Sequence, residues 1–210
     1  MMFRLLTVHL AFLLLGAGTS FSQGRPAPED QIKLGQQFFA QEAKCRGLLR
    51  DRSWKEAEAA CEESVRLADR FADHRELEKM GAYASVGHAL MGQQRYRDAI
   101  RFYSRAIEVS RPRLDDTNAE TGDMFVNMAV AHHLLRELDA AREWYRKAEK
   151  TYRTAHAGIR EEEVTEQGAE MKRGYLKALR RVFELHLRAA QDAGAAAEVK
   201  EIEKQLADLH

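Results

Sequence analysis

Apolar residues recur with helical spacing along most of the chain, most clearly over residues 81–108. Tyr83, Val86 and Leu90 follow one another at three- and four-residue steps, so they share one face of a helix. After the polar residues 92–95 the same rhythm returns. The pattern predicts two antiparallel helices joined by a short turn. The residues at which these helices would cross are small: Gly87, Ala99 and Ala106.

The same helical unit recurs on both sides of this stretch. Ala57, Ala99 and Ala141 occupy equivalent places, and the spacings are 99 − 57 = 42 and 141 − 99 = 42. The large positions agree less well, because the first copy has Gln41 and Lys44 where the later copies are apolar. A poorly matching terminal copy is typical of repeat proteins. The remaining crossing positions are also small in every copy: Cys45 and Ser64, Gly87 and Ala106, Ala129 and Ala148.

These features resemble the tetratricopeptide repeat, whose pattern is an aromatic residue, Leu-Gly and Tyr, followed later by Ala, an aromatic residue and Ala. The 42-residue period is similar to that of the subgroup found in kinesin light chains and many bacterial repeat proteins. The resemblance covers about residues 31–157. It implies an all-α, right-handed α-solenoid of three to four antiparallel helix pairs. We expect three pairs over residues 29–157, with a degenerate fourth pair or C-terminal capping helices over 158–210.

The N-terminus has the composition of a secretory signal peptide. A positive charge at Arg4 precedes an apolar stretch, Leu5–Gly18, and small residues then stand at the places expected before a cleavage site. We expect a signal peptide over residues 1–22, cleavage between Ser22 and Gln23, and a short linker over 23–28. The protein would then be secreted or periplasmic. The apolar stretch is short of the roughly 20 residues of a membrane span, and an uncleaved signal anchor that tethers the protein to the membrane is the alternative.

Composition and motifs argue against several classes of function. The chain has 33 Lys and Arg against 33 Asp and Glu, so no net charge draws it toward nucleic acid or anionic lipid. It contains neither a nucleophile elbow, nor a glycine-rich phosphate loop, nor an HExxH motif. His132 and His133 are adjacent and would diverge on a helix, whereas a metal site needs three or four converging ligands. We therefore expect no enzyme activity, no cofactor and no metal.

The resemblance also assigns places to the two cysteines, Cys45 and Cys61. Both fall in the first repeat, at positions that face each other across a helix pair in this family. A disulfide is the preferred interpretation, because export would expose the thiols to an oxidising compartment. The alternative is that both thiols are simply small packing residues.

The resemblance further implies a concave surface built from the first helix of each pair. An asparagine often precedes the Leu-Ala step in peptide-binding members, as Asn127 precedes Met128 and Ala129 here, but Ala43 and Ser85 stand at the equivalent places, so an asparagine ladder is absent. The implied function is a protein- or peptide-binding adaptor. The alternative is a structural subunit of a cell-envelope complex that associates through convex or end surfaces, with self-association through the terminal helix pairs. The implied partner-binding residues are Arg46, His88, Met91, Asn127, Val130 and His133.

Overall fold

The computed structural model describes residues 28–70, 75–111, 118–159 and 165–209. These residues form α-helices and turns, and no strand occurs among them, so the all-α prediction is confirmed. The predicted signal peptide and its cleavage site lie outside the described residues. The helices are α1 (Pro28–Arg50), α2 (Trp54–Arg70), α3 (Glu76–Gly92), α4 (Tyr96–Ser110), α5 (Ala119–Leu134), α6 (Leu138–Ala157), α7 (Glu166–Asp192) and α8 (Ala196–Ala207).

The helices pack as a stack of pairs. Within each pair the first helix packs on the second, and each pair contacts the next through α2 with α3, α4 with α5, and α6 with α7. The first helices also contact each other directly, α1 with α3 and α5 with α7. A stack in which each pair contacts only its neighbours is a helical solenoid, and its first helices line one side.

The turns between paired helices share one backbone conformation. Arg52, Gln94, Arg136 and Gly194 all have positive φ, at 58°, 62°, 62° and 68°. In each turn the next residue donates its backbone N–H to a carbonyl five residues earlier, for example from Arg95 to Leu90 at 2.9 Å. This is the hydrogen bond that closes a helix whose following residue is left-handed. Because Gly194 belongs to the set, α7 and α8 form a fourth pair built on the same turn.

The predicted crossing positions lie in the core. Ala57, Ala99 and Ala141 are completely buried. At Gly87 an added Cβ would lie 2.5 Å from Cε1 of Tyr103, so only glycine allows the Tyr103 ring to lie against α3. The burial of these small residues confirms the 42-residue register from α1 to α6.

The first repeat has an additional apolar cluster of its own. Its buried members, from α1, α2 and α3, are Leu34, Phe38, Leu67, Ala68 and Ala82. The main core is a separate cluster that runs from Cys45 in α1 to Ile202 in α8. The N-terminal and C-terminal halves of α1 are therefore held by different sets of contacts.

The fourth pair departs from the regular length. Its left-handed turn residue, Gly194, comes 58 residues after Arg136 rather than 42 (194 − 136 = 58). Helix α7 has 27 residues and α8 has 12. The strict period therefore ends after α6. None of the described helices combines the length and the apolar character that a membrane span requires.

Candidate functional site

The candidate site is the inner surface, which we define as the side of the first helices that carries Arg46 in α1, His88 and Met91 in α3, and Asn127, Val130 and His133 in α5. Arg46, His88 and Val130 each lie six residues before the left-handed residue of their turn. Met91 and His133 each lie three residues before it. The repeated turn thus places these residues at matching heights on neighbouring helices.

His88 and Asn127 join the second and third repeats at this surface. The Nδ2 atom of Asn127 lies 3.1 Å from Nε2 of His88. An amide nitrogen only donates, so Nε2 accepts and the proton of a neutral imidazole is on Nδ1. Burial lowers the pKa of His88, against the opposing effects of the Asn127 hydrogen bond and the Asp123 carboxylate. Part of the ring is exposed, but crowding by surrounding protein atoms disfavours the charged form.

This hydrogen bond leaves a matched donor and acceptor. With Nε2 accepting, the His88 ring has its Nδ1–H to donate, and Asn127 keeps its Oδ1 as an acceptor. Neither atom has a hydrogen-bond partner among the described residues. The His88 ring packs in an edge contact on the buried ring of Tyr103, with 5.6 Å between ring centroids. The pair can therefore offer one donor and one acceptor to an amide group.

His133 is directed toward the fourth pair instead of toward His88. Its Nε2 lies 3.1 Å from Oδ2 of Asp192, which also accepts from Arg136 at 2.6 Å. Hydrogen bonds from His133 and then Arg136 lower the pKa of the Asp192 carboxyl. His133 therefore links α5 to the end of α7. Sequence reasoning missed Asp192 because its place in the lengthened fourth pair does not follow from the 42-residue period.

The remaining predicted residues lie apart from the His88–Asn127 pair. Met91 and Val130 are partly buried against the main core. Arg46 is 60% exposed in its side chain and pairs with Glu42 of its own helix at 3.3 Å. Arg46 also helps to line a shallow cleft of about 480 Å³ with Ala43, Leu49 and Arg50. We call this feature the α1 cleft.

Cys45 and Cys61 form a disulfide in the structure, with their Cα atoms 5.0 Å apart. The bond ties α1 to α2, and both cysteines are completely buried. The separation lies within the range that a disulfide requires. Export to an oxidising compartment, where such a bond persists, stays a prediction.

A buried polar network that the sequence analysis missed joins α6, α7 and α8. His186 is 1% exposed, and its ring nitrogens lie 2.6 Å from Oε1 of Glu149 and 3.0 Å from Oε1 of Glu198. Glu198 also accepts from Arg142 at 2.5 Å and from Arg146 at 3.0 Å. The available signal was a histidine within the apolar face of α7, where a buried residue requires polar partners.

A further polar contact joins the two helices of the third pair. The Tyr152 hydroxyl donates a hydrogen bond to Oδ1 of Asp123, which joins α6 to the start of α5. Burial and this carboxylate raise the pKa of Tyr152. Within the described part of the chain, no group of three or more His, Cys, Asp or Glu side chains is arranged to hold a metal ion.

Comparisons with known proteins agree with this architecture. The tetratricopeptide repeat family model matches residues 79–154. The tetratricopeptide repeat domain of Arabidopsis FLU is 20% identical with a TM-score of 0.50, covering 55% of this chain and 93% of that chain. BtubC (BKLC) from P. vanneervenii is 14% identical with a TM-score of 0.52, covering 86% and 82%. A putative kinesin light chain from Podosopora anserina is 11% identical with a TM-score of 0.49, covering 82% and 94%.

At these identities the solved structures show a shared fold alone. No curated protein matches the sequence. The match at residues 79–154 begins in α3 and ends in α6, so it spans the second and third helix pairs. The same turn and the same crossing positions extend the architecture to the first pair. Residues 79–154 therefore match the tetratricopeptide repeat family, and the described chain as a whole shares the fold of a helical-repeat solenoid.

Proposed function

We propose that this protein is an adaptor that binds an extended peptide segment of a partner protein along its inner surface. The observation that carries the proposal is the His88–Asn127 pair, which leaves a donor and an acceptor side by side across two repeats. An extended peptide presents one N–H and one C=O at each residue, and this pair complements them. The fold supports the proposal, because stacked repeats create extended concave binding surfaces.

The surroundings of the pair fit a ligand of this type. Met91 and Val130 are partly buried and add apolar surface one helical turn beyond His88 and Asn127, one from each repeat. A site that combines apolar surface with a few placed polar groups is typical of ligand recognition. The proposal requires no cofactor and assigns no catalytic role, in keeping with the general use of this fold as a non-enzymatic scaffold.

The test uses a peptide selected from a random library by panning on the mature protein. Its affinity is then measured by isothermal titration calorimetry for the wild type and for the triple variant His88→Ala, Asn127→Ala, His133→Ala. We expect binding to weaken by about tenfold or more, since a tenfold change requires only about 1.4 kcal/mol. Circular dichroism should show unchanged helicity.

The control is a second triple variant on exposed positions of the second helices, Lys55→Ala, Arg101→Ala and Glu143→Ala. It should bind the selected peptide like the wild type. Equal affinity of both triple variants would refute the inner-surface site. The assembly subunit would be favoured by two results together. Changes in the terminal helix pairs would abolish self-association, and the inner-surface variant would leave peptide binding unaffected.

Export is a separate part of the proposal. The positive charge, apolar stretch and small residues before Gln23 support a cleaved signal peptide and a secreted or periplasmic protein. An uncleaved anchor would place the same inner surface at a membrane. The partner-binding proposal does not depend on which of these two forms occurs.

A further inference from the structure

The disulfide occupies the place that an aromatic side chain fills in the next two repeats. Cys45, Gly87 and Ala129 each lie seven residues before the left-handed residue of their turn. Nine residues after that left-handed residue stand Cys61, Tyr103 and Tyr145. The covalent pair of the first repeat is therefore equivalent to Gly87 packed on the Tyr103 ring in the second repeat, and to the Ala129 and Tyr145 positions in the third.

The tyrosine rings are what hold the later helix pairs together at this point. Tyr103 and Tyr145 are completely buried, and Tyr103 lies so close to α3 that a Cβ on Gly87 would overlap it. The first repeat has no aromatic residue there. Two unbonded thiols would leave part of that space unfilled, and they cannot approach as closely as bonded sulfur atoms. Without the bond, the middle of α1 loses its covalent link to α2.

Cys45 is the only fully buried residue of this part of α1, and Leu48 and Leu49 are only partly buried against the main core. Gln41 and Lys44 stand where the later repeats have large apolar residues, and Lys44 is exposed. Gln41 contributes one hydrogen bond, from Nε2 to the backbone oxygen of Ala60 at 3.0 Å. The buried apolar residues Leu34 and Phe38 belong to the separate cluster near the start of the helix. In the second half of α1, residues 41–50, the disulfide is therefore the one fully buried link to α2.

This half of α1 also carries the N-terminal end of the inner surface. The α1 cleft is lined by Ala43, Arg46, Leu49 and Arg50, on either side of Cys45 in the sequence. We propose that the Cys45–Cys61 disulfide is a redox-sensitive latch that keeps the α1 cleft formed. That the cleft contributes to partner binding rests on the proposed function, whereas the latch itself does not.

The chemistry is a thiol–disulfide exchange with a dithiol reductant. One thiolate of the dithiol attacks a sulfur of the Cys45–Cys61 bond, and a mixed disulfide forms as that bond breaks. The second thiol resolves it, so the dithiol leaves as a disulfide and both cysteines end as thiols. Two electrons and two protons pass to the protein. Because both cysteines are completely buried, attack requires local opening of α1.

The test is hydrogen exchange by mass spectrometry on the mature chain, oxidised and after reduction with dithiothreitol. We expect amides of residues 41–50 to exchange about tenfold faster or more after reduction, with α3 to α6 unchanged. The variant Cys45→Gly, Cys61→Tyr copies the second repeat, and it should keep α1 protected with or without reductant. The variant Cys45→Ser, Cys61→Ser should behave like the reduced protein.

Two results would overturn the latch. In one, complete reduction leaves the protection of residues 41–50 unchanged. In the other, the serine variant protects these residues as well as the oxidised protein does. If the glycine–tyrosine variant does not fold, the serine variant alone still decides the question. The result is independent of any partner. Failure of the inner-surface variant to weaken peptide binding would refute the proposed function and leave the latch intact.

Discussion

At the scale of single residues, small side chains set the distance between paired helices. Ala99, Ala106, Ala141 and Ala148 are all completely buried, and each pair of them lies seven residues apart on the second helix of its repeat. Interiors are packed so densely that added methylene groups have no free space to enter. The size of the side chain at these positions therefore has a large effect on the free energy of unfolding. Charged residues on the opposite, exposed face of the same helices have little effect on it.

The first prediction concerns Ala99. Replacing Ala99 by Leu should lower the free energy of unfolding by about 1–3 kcal/mol, because the larger side chain overpacks the crossing of α3 and α4. Urea denaturation measures the change. Glu108→Ala is the control on the same helix, since Glu108 is 67% exposed in its side chain, and it should cost no more than about 0.5 kcal/mol. Equal losses in the two variants would show that the register is wrong.

The second prediction concerns backbone strain at Gln94. This exposed residue has a φ of 62°, a conformation that costs an L-residue roughly 1–2 kcal/mol and that glycine adopts freely. Gln94→Gly should raise the free energy of unfolding by about 0.5–1 kcal/mol after the larger chain entropy of glycine is included. The control Arg101→Gly, at an exposed position inside α4, should instead lower it by about 1 kcal/mol. A thermal melt that shows both variants destabilised would contradict the argument.

At the scale of the helices, polar networks fasten one repeat to the next. Arg95 of the second repeat bonds Glu58 of the first at 2.7 Å, and His133 bonds Asp192 of the fourth pair. The buried contacts around His186 join α6, α7 and α8. Helix α8 is short and buries only Ile202 completely among its own side chains. The network is therefore a large part of what holds this terminal helix.

The third prediction concerns Glu198, the centre of that network. Glu198→Gln should lower the free energy of unfolding by about 1–3 kcal/mol at neutral pH, because Arg142, Arg146 and His186 all lose a carboxylate. Glu201→Gln, exposed on the same helix, should change little. Guanidinium unfolding of the three proteins provides the comparison.

The comparison of the wild type with Glu198→Gln also predicts how the free energy of unfolding depends on pH. Burial raises the pKa of the Glu198 carboxyl, but hydrogen bonds from Arg146 and Arg142 outweigh it, so the pKa lies below the ordinary 4.5. A lowered pKa stabilises the fold above the unfolded-state pKa, and this contribution is lost as the pH falls through the folded-state pKa. The difference between wild type and Glu198→Gln should therefore stay constant from pH 7 to about 5 and shrink below about 4.5. A difference that grows in acid would contradict the assignment.

At the scale of the whole molecule, stability is distributed along a stack in which, over the described residues, each pair packs mainly on its neighbours. The first pair has one neighbour and the weakest apolar pattern, with Gln41 and Lys44 at large positions. Closing a chain loop of 16 residues with a disulfide contributes roughly 3 kcal/mol in the chain-entropy model. The bond therefore lies where the stack is otherwise weakest.

The fourth prediction joins export to this bond. Intact mass spectrometry of the exported protein, alkylated without reductant, should show a chain that begins at Gln23 with neither cysteine alkylated. Reduction before alkylation should add two alkyl groups. A mature chain that still begins at Met1 would favour the uncleaved anchor. Two alkylated cysteines without reductant would show that the thiols are only packing residues in that compartment.

The sequence by itself determined the helix pairs, their register and the small residues between them. Each of these features depends on spacing within about 42 residues, and the helical period and the repeat are both visible over that distance. Ala57, Ala99 and Ala141 are buried as their spacing predicted. The opposition of Cys45 and Cys61 was implied by the resemblance to the tetratricopeptide repeat, and the structure pairs them.

Only the tertiary structure decided which side chains meet between repeats. His88 and Asn127 are 39 residues apart, and His186 lies between carboxylates of two other helices. These meetings depend on how far each pair rotates on the one before it, which local spacing does not encode. The spacing between turn residues is 42 in the first three pairs but 58 between Arg136 and Gly194. The contact of Asp192 with His133 therefore lies outside the 42-residue period.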